Sequence, residues 1–158
     1  MKKFICLIFT IIGITAVVVA PARSNAASSE GAVTGIASGT FPGHTSFAGV
    51  NLSRFETATG LFTEADGSAT GVFHVVLTGR SILGSERTIT LEGNVMQGTA
   101  TAGVGDFSGL ATLDLGDGLS TISSVPFHVE TNGNSLVLTI QSTVLPSAAI
   151  SEGGLDVS

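Results

Sequence analysis

The sequence predicts an all-β protein, a single antiparallel β-barrel with a β-sandwich as the alternative. Three observations carry this. Apolar residues alternate with polar ones: Ile89 and Leu91 among Thr88, Thr90 and Glu92, Val125, Phe127 and Val129 about His128 and Glu130, and Leu136, Leu138 and Ile140 about Val137, Thr139 and Gln141. Period two buries one face of a strand. Gly, Asp or Asn breaks these runs at the spacing of about eight to twelve residues usual in barrels and sandwiches. No window after Ala26 holds an i, i+3, i+4, i+7 stripe of useful length, and the 21 glycines recur too often for helix interiors.

The elements follow in order. Residues 1–26 read as a signal peptide: Lys2 and Lys3, an uncharged run from Phe4 to Ala20, then Ser24-Asn25-Ala26 with small residues at minus three and minus one. Cleavage after Ala26 predicts an extracytoplasmic destination, periplasmic or secreted. Residues 27–158 form a single β domain, long enough to bury about two thirds of its unfolded surface. Cys6, the one cysteine, leaves with the leader and sits too early in it to be a lipid attachment site, so packing must replace disulfides.

Runs rich in Val, Ile, Leu, Phe and Thr place strands at 32–40, 45–52, 59–64, 69–78, 86–92, 95–101, 108–115, 122–131, 135–142 and 144–150, with an edge open to the last few residues. Ala65-Asp66-Gly67 and Gly116-Asp117-Gly118 supply turn chemistry, and Asn132-Gly133 predicts a type I′ hairpin because both residues tolerate positive φ. Gly35, Gly39, Gly49, Gly71 and Gly98 fall in or beside strands, which favours a sharply curved sheet and hence closure. Thr59-Gly60-Leu61 and Phe73-His74-Val75 are echoed by Ser108-Gly109-Leu110 and Phe127-His128-Val129 at an offset that drifts from 49 to 54, which common β rules explain better than a duplication does.

Charge excludes several functions. Residues 27–158 carry Arg54, Arg80 and Arg87 against all 12 acids, a net charge of −9 where the whole chain has −6. Such a Lys-free surface repels nucleic acid and anionic membranes, and nothing predicts stable membrane insertion once the leader is gone. A homo-oligomer remains open, as does a surface or matrix component that assembles through strand edges.

Two segments carry a resemblance. Gly49 through Glu56 with Thr59-Gly60, and Gly98 through Thr112, resemble secreted bacterial β-barrel proteins that look like the allene oxide cyclase and dirigent barrels. The resemblance implies a barrel, and a cyclase-like enzyme acting on a hydrophobic substrate as an alternative function. Ser53 stands where that pattern has Gly, Asp106 where it has Arg, and Leu110 breaks its small-residue run, so no catalytic residue carries over.

Three residues are candidate ligand contacts. Arg54 and Glu56 keep the phase of Val50 and Leu52, and Arg87 that of Ile89 and Leu91, so unbroken strands point all three into the lumen; a bulge or strand end would instead turn them to water. Paired there, Arg54 and Glu56 would orient the polar end of a small apolar ligand among several of Phe41, Phe47, Phe62, Phe73, Phe107 and Phe127. No metal ligand or cofactor is assigned. His44, His74 and His128 lack the local spacing of a metal site, with His74 and His128 pointing outward. The acidic turns at Glu64 and Asp66 and at Asp114 and Asp117 miss an EF-hand pattern and suit ordinary turns. No nucleophile elbow or phosphate loop occurs.

Overall fold

The computed structural model describes residues 30–158; the expected signal peptide lies outside them. Within them the chain is all-β: β1 (Gly31–Thr40), β2 (Ser46–Phe47), β3 (Val50–Thr63), β4 (Ser68–Ser81), β5 (Glu86–Thr101), β6 (Val104–Asp114), β7 (Ile122–Thr131), β8 (Ser135–Ile140), β9 (Thr143–Val144) and β10 (Ala148–Val157). Every pairing is antiparallel, and most join consecutive strands. Closure comes from β1. It pairs β10 on one flank, from Val33↔Val157 to Thr40↔Ala149, and β3 on the other, from Gly31↔Thr63 to Thr40↔Arg54. Eight strands thus form a ring, β1-β10-β8-β7-β6-β5-β4-β3, which decides for a barrel over a sandwich. β2 continues beside β3 where β1 ends, and β9 beside β8 where β10 ends.

The ring is uneven. β10 meets β8 at only two paired positions, Ala148↔Leu136 and Ala149↔Ser135, so this is its thinnest seam. At one end β1 is pressed across the ring onto β5: a Cβ added to Gly31 would stand 2.5 Å from the Ala100 carbonyl oxygen. Glycine permits that approach because there is no side chain to displace.

Three strands are longer than the sequence pattern implies: β3 joins the end of the expected run 45–52 to 59–64, β5 joins 86–92 and 95–101, and β10 carries on to Val157. Two expected runs break instead, 45–52 between β2 and β3 and 144–150 between β9 and β10, and β8 stops at Ile140. Bulges make the joins possible. The β3–β4 register slips between Leu52 and Arg54, which leaves Ser53 as the extra residue; the β5–β6 register slips between Val95 and Gln97, which leaves Met96. Each extra residue bends its strand and reverses the inward phase beyond it. The hairpin at Asn132 also departs from a two-residue turn. Asn132 Oδ1 accepts from the backbone N–H of Asn134 and Ser135 at 3.0 and 2.9 Å, and only Gly133 takes positive φ, so three residues link β7 to β8.

Inside the ring, alternation does what period two demands. Val75, Leu77, Ile89, Leu91, Val129, Leu136, Leu138 and Ile140 have no exposed surface. Phe73 stands edge-on to Phe107 and is stacked with Phe127, both at 5.5 Å between centroids, while Phe41 meets Phe55 edge-on at 5.7 Å. Burying each such ring is worth about 1.5–3 kcal/mol, and a well-placed aromatic pair adds about 0.5–1.5 kcal/mol. Two aromatic expectations change: Phe55 is buried by the phase reversal at Ser53, and Phe62 is 67% exposed because it lies between inward-facing Leu61 and Thr63. Inner threonines donate to carbonyls of the neighbouring strand, Thr57 Oγ1 to His74 O at 2.8 Å and Thr59 Oγ1 to Val72 O at 3.2 Å. Thr63 Oγ1 is buried without a partner.

Candidate functional site

The interior is occupied by its own side chains, so the polar groups of interest gather on the outer face. Arg54 and Glu56 are there. Without the bulge at Ser53 they would share the inward phase of Val50 and Leu52; with it Phe55 and Thr57 turn in and the two charges turn out. Their side chains are 61% and 58% exposed and form an ion pair, Arg54 Nη2 to Glu56 Oε1 at 2.9 Å. Of the two placements open to the pair, the structure has the one in which a bulge turns it to water, and the lumenal one does not occur. With Ser38, Thr40, Ser151 and Glu152 they line a shallow outer groove along β1. Ser38 pairs with Glu56 on one side and Glu152 on the other, which sets two carboxylates about one hydroxyl. Such a groove offers acceptors to a cationic or hydroxylated group.

Arg87 does keep the inward phase, but at the rim. It is half-buried, and Nη1 donates to the carbonyl of Gly116, clasping the connection between β6 and β7. In the sheet it sits opposite Gly79, two strands from Leu52 and on the face away from Arg54, so the three candidate contacts do not converge. The guanidinium satisfies a turn carbonyl.

A second cluster was not foreseen. β6–β7 pairing puts Asp106 opposite Glu130 and Ser108 opposite His128, all on the outer face. His128 lies between the two acids. Its Nε2 is 3.3 Å from Glu130 Oε1 and its Nδ1 is 3.7 Å from Asp106 Oδ1. One donor atom from each residue lies within 4.8 Å of the others, the one such grouping of three among the described residues. Gly67, Gln97, Gly98 and Thr99 wall the depression in which Asp106 and His128 sit. Sequence spacing shows half of this, since His128 and Glu130 are two apart on one strand face. Asp106 enters only through the register of β6, which no local pattern reveals. A looser pair, His74 Nε2 and Glu92 Oε1 at 4.0 Å, joins direct cross-strand partners on β4 and β5.

The acidic turns engage their carboxylates locally. Asp66 Oδ1 accepts from Ser68 Oγ at 2.6 Å and Ser68 N at 2.9 Å, and these two bonds hold the Asp66 carboxyl below its ordinary value. Asp114 Oδ1 accepts from Gly116 N and Asp117 Oδ1 from Leu119 N, each closing its own turn. Comparison with family models, curated proteins and solved structures finds no match to this chain.

Proposed function

We propose that the protein is an exported, non-enzymatic β-barrel that works through its outer face and takes a small apolar ligand there. The observation that supports this is Phe62, a ring 67% exposed on β3 while the ring interior is filled by Phe55, Phe73, Phe107 and Phe127. Val72 lies diagonal to it, since Phe62 pairs with Thr70 and Gly60 with Val72, and Gly60 leaves bare backbone between them. Further round the same face Met96 and Leu110 are 56% and 43% exposed. Isolated exposed apolar residues are ordinary, but a run of them over adjacent strands marks a surface that binds. The outward-facing Arg54 and Glu56 remove support for lumenal acid–base work, which favours a binding role over the cyclase-like alternative.

Native mass spectrometry of protein purified from its own host tests the proposal. A chain beginning at Ala27 with a co-purifying apolar molecule, lost in Phe62→Ser, is the expected result. A bare chain in both proteins, or one that still carries Met1, contradicts it.

A further inference from the structure

We propose that Asp106, His128 and Glu130 form a surface site for a borderline divalent metal ion of the zinc or copper class. The outer face of β6 and β7 carries a charge imbalance. Asp106 and Glu130 are direct cross-strand partners on the outer face, and like charges so placed repel. The three arginines of the described residues lie on β3, β4 and β5, none on β6 or β7. Only His128 stands between the acids, offering one ring nitrogen toward each. A divalent cation would supply compensating charge.

The donor set selects the class of ion. One imidazole with two carboxylates suits zinc, copper or nickel, whereas calcium and magnesium prefer oxygen alone. Bond lengths of about 2.0–2.2 Å require donors roughly 3–3.5 Å apart. At present each acid faces a different ring nitrogen, at 3.3 and 3.7 Å, and one donor atom from each residue lies within 4.8 Å of the others, wider than that range. Asp106 and Glu130 side chains are 53% and 58% exposed, free to swing the remaining distance as the imidazole turns one nitrogen to the ion. The strands beneath are fixed by ladder bonds from Gly105↔Thr131 to Ala111↔Val125, so the three positions stay in register. The open side of the depression leaves room for water to complete the coordination.

Isothermal titration of zinc chloride into the purified protein, at a mildly alkaline pH where protons compete little for imidazole, is the test. The expected result is one zinc ion per chain, with magnesium and calcium giving no heat. His128→Ala should weaken binding at least about tenfold, Asp106→Asn and Glu130→Gln should each weaken it, and His74→Ala should leave it unchanged. All four positions are on the outer face, and unchanged circular dichroism will confirm that each variant folds. Absence of binding up to millimolar zinc, equal binding by His128→Ala, or loss in His74→Ala instead would overturn the assignment.

Discussion

The ring of Phe127 lies directly over the Cα of Gly93: a Cβ added there would stand 2.5 Å from Phe127 Cε1 and 2.8 Å from Cζ. The same ring approaches Gly109, its cross-strand partner, to 3.1 Å of a would-be Cβ. Gly93 is itself the cross-strand partner of Phe73, the ring stacked on Phe127. Two bare backbone positions thus make the slot that lets the aromatic cluster fill the barrel, an arrangement in which aromatic rings cover glycines inside a curved sheet.

Gly93→Ala should therefore destabilise the protein by about 1–3 kcal/mol, the usual cost of overfilling a packed core. Gly60 provides the contrast, since nothing lies within 4 Å of its added Cβ and its φ is not positive. Gly60→Ala should be neutral or stabilising by up to about 1 kcal/mol. Urea unfolding of both variants checks this. Equal stabilities would mean that Phe127 does not rest on Gly93.

Two threonines on the inner face of β3 should respond to the same substitution with opposite signs. Thr63→Val removes a buried hydroxyl that has no partner and should stabilise by about 1 kcal/mol. Thr57→Val removes the bond to the His74 carbonyl and should cost about 0.5–1.5 kcal/mol. Denaturant midpoints at constant slope would report both.

Arg54→Ala and Glu56→Ala should each change stability by less than about 1 kcal/mol, because an ion pair so exposed is screened by water. A loss of several kcal/mol in either single variant would put the pair inside the barrel, where an abandoned charge is costly.

Asp66 links the β3–β4 turn to pH. Its folded carboxyl titrates below the ordinary value of 3.8 because of the two bonds from Ser68. A depressed folded value means that its contribution to stability is complete above the ordinary value and fades as pH falls through the folded one. Ser68→Ala removes the larger of the two bonds and should raise the Asp66 titration midpoint toward 3.8, as read from its carboxyl carbon by NMR. An unmoved midpoint would contradict the Ser68 contact.

The fold was legible wherever alternation ran unbroken. Leu136, Leu138 and Ile140 face inward as their period requires, and the limits of β7, Ile122–Thr131, are those of the expected run. It was illegible where one extra residue resets the phase. Ser53 is such a residue, and nothing about a serine says that it is the one left out of the ladder; Arg54, Phe55 and Glu56 all change faces because of it. Phe62 faces outward because its position between two inward neighbours outweighs its aromatic character. The Asp106–His128–Glu130 cluster needed the register of β6 against β7, which residues more than twenty positions apart do not declare.

Closure of the ring through β1 underlies both the filled interior and the outward placement of the Arg54–Glu56 pair and the His128 cluster, and NMR distance contacts from β1 test it most directly. Ile36 should show backbone contacts to Ala58 on β3 and to Gly154 on β10 in the same folded state. Contacts to one of these strands without the other would mean an open sheet, and the barrel would be wrong.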